Sequence, residues 1–247
     1  MSHIRIAILT CEREPAYIYQ TISSLFDAEP FARNISFVID SDNKNYLREH
    51  ADAYDCYYLN ESEADELDGY PLTARCCNTC WRALKMDCSE YRGLLVCEDD
   101  IIFRPDFLTY LEQSIDEFES SYTTCTREFP PYMMSLHSKF DIAKEDKRRP
   151  GQYYLITPAH KFYGMHAIYY SQSIITTVRD YMWEFGVLKQ KLPADLLLGK
   201  LGYKMQSMYN TAYDLVEHIG RVSTGLSDEE ACYGESATFT KPWRPLV

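Results

Sequence analysis

Leu94-Leu95-Val96-Cys97-Glu98-Asp99-Asp100-Ile101-Ile102-Phe103 decides how this chain folds. Four apolar residues run into three consecutive carboxylates, and a second apolar run follows at once. A short apolar run bounded in this way reads as a strand buried on both faces, as in a parallel sheet. Open α/β sheets place their ligands at the carboxyl ends of such strands. Three adjacent acids repel one another there, and a divalent cation relieves the repulsion. Hard oxygen ligands suit Mg2+ or Mn2+ better than zinc, and a metal at a sheet edge points to a phosphate-bearing substrate. The rival reading is a strand that ends in a solvated acidic turn.

The flanking sequence repeats the same grammar. Ile4 to Leu9 becomes continuously apolar and ends in the polar loop Thr10-Cys11-Glu12-Arg13-Glu14-Pro15. Tyr17 to Phe26 follows with Ile18, Ile22, Leu25 and Phe26 on one helical face. Ile35 to Asp40 reads as a second strand, Tyr46 to Tyr54 as a short helix and Cys56 to Leu59 as a third strand. The acidic stretch Glu61 to Asp68 reads as a surface loop. Thr73 to Met86 and Pro105 to Phe118 are expected helices on either side of the acidic strand. Tyr132 to Leu136 and Ala167 to Tyr170 are further strand candidates, and Gln172 to Glu184 and Ala194 to Leu201 further helices. Strands alternating with helices predict an α/β protein with a mostly parallel, doubly wound central sheet flanked by helices. No repeat or low-complexity segment divides residues 1–247, so a single domain is expected. The stretch after Ser223 has little periodicity and is expected to wrap the surface or close over the site.

Composition narrows the class. At 247 residues, with 46% hydrophobic and 14% aromatic residues, the chain has the material for a substantial core. No apolar run approaches a membrane span, and Met1-Ser2-His3-Ile4-Arg5-Ile6 has no signal-peptide character, so a soluble cytoplasmic protein is expected. Nine cysteines then read as reduced thiols. Cys77 and Cys80 have Cys-x-x-Cys spacing, which raises zinc or redox chemistry. Cys76, Cys80 and Leu84 recur at helical spacing, however, and packing on an apolar face accounts for them without a metal. A net charge of −12 argues against extensive nucleic-acid binding, which depends on Lys and Arg neutralising phosphates. The one basic cluster is Lys144, Lys147, Arg148 and Arg149, read as a solvated loop.

Four further features fit the acidic strand end. Thr10 and Arg13 stand at the carboxyl end of the first strand, where Arg13 suits a diphosphate or a carboxylate. Arg75 and Asn78, three apart, share a helix face just before the acidic strand. Asp195 lies in the first turn of a helix, either as a charge favoured by the helix dipole or as a general base. His218, in Val216-Glu217-His218-Ile219-Gly220, is either a hydrogen-bonded structural residue or a manganese ligand.

Taken in order, these blocks resemble the GT-A class of nucleotide-sugar glycosyltransferases. Ile6-Ala7-Ile8-Leu9-Thr10-Cys11-Glu12-Arg13, followed by Tyr19 to Leu25, is similar to that class's first strand and helix. Glu98-Asp99-Asp100 resembles its acidic metal motif in the form found in several N-acetylglucosaminyltransferases. Phe162 to Ser171, with Tyr163, Gly164, Tyr169 and Tyr170, is similar to the segment lining the sugar and acceptor pocket. Pro193-Ala194-Asp195-Leu196-Leu197 and Val216 to Ser223 resemble the late helix and His-Ile/Val-Gly-x-x-Ser stretch of N-acetylglucosaminyltransferase IV-like proteins. The protein is expected to depart from those Golgi enzymes in lacking their anchor and stem, and its Cys-rich helix is not matched to any segment of theirs.

The resemblance implies a metal-dependent, inverting transfer of a sugar from a nucleoside diphosphate sugar, UDP-linked, to an acceptor hydroxyl. It implies that Asp100 and His218 hold Mn2+ or Mg2+ and that Asp195 is the general base. Thr10, Arg13, Asp40, Arg75, Asn78, Glu98, Asp99 and Gly164 then bind the donor. Residues 1–125 would form the nucleotide-sugar half, and 126–247 the acceptor half with a closing segment. The acceptor is left open among a glycan, a protein, a lipid and a hydroxylated nucleobase. Two alternatives stand beside this reading. A sugar-phosphate nucleotidyltransferase would carry a Gly-rich loop after the first strand, where this chain has no glycine. A non-catalytic nucleotide- or carbohydrate-binding module would have no need of the acids and Asp195 together.

Overall fold

The computed structural model describes residues 4–13, 16–30, 32, 34–123, 130–137, 153–155, 165–190, 192–211 and 213–219. The basic cluster at 144–149, Tyr163, Gly164 and the stretch after Ser223 lie outside the described residues.

The first half winds as its apolar periods predict. Strand β1 (Ile4–Thr10), helix α1 (Ile18–Ala28), strand β2 (Ile35–Ile39), helix α2 (Arg48–Ala51) and strand β3 (Asp55–Tyr57) come first. Helices α3 (Glu61–Leu67) and α4 (Leu72–Ala83) lead into β4 (Gly93–Glu98), β5 (Ile101–Phe103) and α5 (Phe107–Thr123). The second half adds β6 (Met133–Ser135), β7 (Tyr153–Leu155), β8 (Ala167–Ser171), α6 (Gln172–Tyr181), a π-helical segment (Met182–Leu188), α7 (Ala194–Met205), β9 (Met208–Thr211) and β10 (Val216–His218).

Eight strands form the central sheet in the order β3-β2-β1-β4-β8-β6-β9-β7. Four of its seven neighbouring pairs are parallel. The β3-β2-β1-β4 portion is wholly parallel, and β8 then runs antiparallel to β4. β1, β2 and the apolar part of β4 are buried almost throughout because helices cover both faces. One core gathers α1, α5 and one sheet face around Phe37, Phe107 and Phe118. The other packs α4, α6, the π-helical segment and α7 around Leu94, Val96 and Tyr170. The π-helical segment brings Gly186 so close to α4 that a Cβ there would lie 2.7 Å from Cys77 Sγ.

Two sequence expectations need correction. Glu61 to Asp68 is not a loop but carries α3. Asn60 Oδ1 accepts from Glu63 N at 2.9 Å and Asn60 N donates to Glu63 Oε2 at 3.0 Å, a reciprocal capping box. The dense charge hid this start signal. On α4 the buried row is Cys77, Cys80 and Leu84, whereas Cys76 is exposed. All seven described cysteines are free thiols, as a packing role requires. β9 and β10 are short and of mixed polarity, and no period announces them.

Candidate active site

Strand order puts a topological switch between β1 and β4. The chain leaves β1 toward β2 and β3 on one side and returns on the other through β4. The crevice outside the carboxyl ends of those two strands is where ligands lie in open α/β sheets. Thr10 and Arg13 come from the end of β1, and Glu98, Asp99 and Asp100 from the end of β4.

The turn from β4 into β5 is pinned from α1. Thr21 Oγ1 lies 2.8 Å from the carbonyl oxygens of both Asp99 and Ile101, one of which takes its proton, and accepts from Ile101 N at 3.1 Å. Two neighbouring carboxylates are thereby held in fixed directions. Asp99 Oδ2 accepts from Thr10 Oγ1 at 2.6 Å, and Asp99 Oδ1 accepts from Arg13 Nη2. Arg13 Nη2 also lies 3.1 Å from Asp100 Oδ2. Asp100 Oδ1 is buried and has no hydrogen-bond partner among the described residues.

His218 reaches this turn because β10 pairs antiparallel with β5, setting His218 opposite Ile101. Its Nε2 is 3.3 Å from Asp100 Oδ2, and Ile219 N donates to the Asp100 carbonyl at 2.8 Å. Burial works against the Asp100 charge, but His218 and Arg13 overcome it and hold the carboxyl below the usual range. The same contact raises His218 despite its burial. Burial pushes Asp99 up to about 7, with Arg13 pulling the other way and Asp100 adding to the rise.

Two further histidines were not singled out in the sequence. β4 and β8 pair with Cys97 opposite Ala167, so the next step puts Glu98 opposite His166. His166 Nδ1 is 2.8 Å from Glu98 Oε2, and its ring stacks on His218 with centroids 4.3 Å apart. His137, at the end of β6, meets His166 edge to face at 4.8 Å. Burial drives His137 down to about 3, so it is a neutral imidazole. Only the antiparallel placement of β8 and β6 reveals this cluster, and single-sequence periods do not carry that register.

The remaining expected residues divide. Arg75 Nε donates to Asp40 Oδ2 at 3.0 Å, so the end of β2 and the inner face of α4 meet. Asp40 Oδ1 is buried without a hydrogen-bond partner among the described residues. Asn78 is buried on the same helix and takes no part in that ion pair. Asp195, in the first turn of α7, accepts from Leu196 N at 2.8 Å. Burial raises its carboxyl, with Glu98 adding to the rise and His166 opposing it. Among the described residues, no three His, Cys, Asp or Glu side chains converge as a self-sufficient metal site.

No protein-family model and no curated protein sequence matches the chain. Solved structures do. Staphylococcus aureus TarS 1-349 superposes with a TM-score of 0.52 at 13% identity, covering 86% of this chain and 58% of that one. A second S. aureus TarS structure gives 0.52 at 12% identity, over 85% of this chain and 35% of that one. The apo form of mouse xyloside xylosyltransferase 1 gives 0.47 at 11% identity, over 83% of each chain. This chain thus spans less than two thirds of either TarS chain. At such identities the likeness is one of fold, and the fold is the GT-A glycosyltransferase arrangement.

Proposed function

We propose that this chain is a metal-dependent glycosyltransferase that moves a sugar from a UDP-linked donor to an acceptor hydroxyl with inversion. The observation that carries the reading is the meeting of Asp100, Arg13 and His218, with Glu98 and His166 beside them, at the switch-point crevice of the sheet; the role of Asp195 is inferred from its place in the first turn of α7. Residues 1–125 supply the donor side and 126–247 the acceptor side.

The donor set fits a cation of the Mn2+ or Mg2+ kind. Asp100 keeps one buried oxygen without a partner, and His218 stands beside it. Two protein ligands suffice where diphosphate oxygens and water complete the shell, which is how such ions bind phosphate-bearing substrates. When bound, the metal would act as a Lewis acid on the diphosphate leaving group. Thr10, Asp40, Arg75 and Asn78 line the nucleotide side, Asp99 faces ribose or metal-bound water, and Glu98 faces the donor sugar; Gly164 belongs to the same assignment. His166 orients Glu98 through its 2.8 Å contact.

Asp195 takes the proton from the acceptor hydroxyl as that oxygen attacks the anomeric carbon. Its raised carboxyl is a better proton acceptor than an ordinary aspartate, because basicity follows pKa. Arg13 carries charge that a departing diphosphate needs.

A panel of nucleotide sugars screened by thermal shift with and without Mn2+ tests the donor, since ligand stabilisation scales with occupancy and affinity. The Tm is expected to rise with one UDP-sugar and Mn2+ together. Asp100→Asn is expected to abolish transfer while leaving the fold intact. Asp195→Asn is expected to keep the donor-induced shift and lose about 10²–10⁴-fold in transfer. Full activity in excess chelator together with full activity of Asp100→Asn would sink the metal assignment.

A further inference from the structure

Arg13 already occupies part of the space that a metal would share. Its Nη2 contacts Asp99 Oδ1 and lies 3.1 Å from Asp100 Oδ2, the same oxygen that His218 approaches. The guanidinium is stacked 5.1 Å from the Tyr17 ring centroid. Its Nε is buried and has no hydrogen-bond partner among the described residues. One guanidinium therefore spans both carboxylates of the turn while keeping a donor unspent. Two adjacent buried carboxylates without such a cation would repel each other strongly.

We propose that Arg13 is a resident counter-cation for the Asp99–Asp100 pair, displaced by the arriving divalent cation and received by the diphosphate of the nucleotide. The proposal rests on the metal-dependent reading above and adds a binding order to it. A divalent cation alone must expel Arg13 from both carboxylates, and the neighbouring acids Asp40 and Glu98 already face Arg75 and His166. A cation arriving with UDP gives Arg13 two phosphates, and planar guanidinium recognises phosphate oxygens in pairs. Metal and nucleotide must then each tighten the other's binding by the same factor. The unspent Nε–H is the donor available for that second partner.

Titration calorimetry and Mn2+ electron paramagnetic resonance, with UDP as the nucleotide, test this on the intact chain. In the parent, Mn2+ alone is expected to bind weakly and UDP to tighten it. Arg13→Gln is expected to bind Mn2+ alone about 10-fold more tightly and to lose most of the coupling to UDP, within the usual range of such couplings. Arg13→Lys keeps a charge but lacks the planar fork that pairs with phosphate oxygens, so its coupling to UDP is expected to fall between them. It also carries the test if Arg13→Gln does not fold. Equal or weaker Mn2+ binding by the variants overturns the counter-cation role and leaves the metal reading standing. UDP binding without any Mn2+ binding, in parent and variants alike, overturns both.

Discussion

At the scale of single residues, the crevice is a set of opposed charges whose balance depends on pH. Asp100 sits below the ordinary carboxylate range and His218 above that of a free imidazole because, against the effect of burial, they meet at 3.3 Å. A lowered carboxyl contributes stability that is present above the unfolded value and lost as pH falls through the folded one. A raised imidazole contributes stability that is complete below its unfolded value and lost as pH rises through the folded one. The pair is thus worth most in weakly acidic solution, between those two limits. Asp99, raised to about 7 by burial, holds in the native state a proton that the unfolded chain releases near pH 4, so its contribution is lost as pH rises from about 4 to about 7 and is already gone on the alkaline side. Comparing His218→Gln with the parent, without metal or nucleotide, isolates the imidazole. At pH 5–6 the variant is expected to melt about 2–4 °C lower, the shift for ~1 kcal/mol in a chain of this size. At pH 9 the two are expected to melt together. A constant difference from pH 5 to pH 9, read by calorimetry, would contradict the ion pair.

At the scale of elements, the acids matter only because short segments aim them. The β4 to β5 turn has one hydroxyl, Thr21 Oγ1, serving two carbonyls and one amide, and Thr21 is fully buried. Thr21→Val keeps the shape and removes the bonds. It leaves buried backbone groups unsatisfied, at about 1–3 kcal/mol. Denaturant unfolding is expected to show about 2 kcal/mol lost in Thr21→Val, and less in Thr21→Ser, which keeps the hydroxyl. UDP-induced stabilisation should weaken in the valine variant alone; a valine variant as stable as the parent would deny the turn its pin. This turn also marks where the sequence stops being legible. The acidic triplet, Arg13 and Asp195 stood out because each ends a strand or begins a helix with clear apolar period. His166 and His137 did not, since only the register of β8 on β4 makes Glu98 and His166 neighbours. β10 delivers His218 through three residues, Val216-Glu217-His218, too few to display any period. α3 was hidden differently, its Asn60-x-x-Glu63 cap lying in plain view within a run of acids.

For the whole molecule, the parallel β3-β2-β1-β4 portion was legible and the remainder much less so, for one physical reason. Strands buried on both faces are mostly apolar runs, and β1, β2 and β4 are, apart from Arg5, Thr10, Ser36 and Glu98. The second half is built of short strands joined antiparallel to that core, and their order follows from packing rather than pattern. The seam between the halves is β4 against β8, and it is tightest at Gly93. A Cβ at Gly93 would lie 2.3 Å from the Tyr170 carbonyl oxygen and 2.6 Å from the Tyr169 ring. Neither neighbour can yield easily. Gly93 is paired with Ile4 on one side and Ser171 on the other, so its strand is held from both directions. Tyr169 Oη donates to the Arg92 carbonyl at 3.0 Å. Arg92 is in turn fastened to α5 through Asp116 at 2.6 Å and Glu119 at 2.5 Å. Gly93→Ala must therefore part the two halves or tilt Tyr169 out of the core, an overpacking cost of ~3 kcal/mol. The corresponding fall in Tm is about 6–12 °C. Gly69→Ala is the matched control, because nothing lies within 4 Å of its added methyl, and it is expected to melt close to the parent. Equal melting of the two alanine variants would mean that the seam has slack. Asp195 and Asp100 then could not be held in register across it by close packing alone.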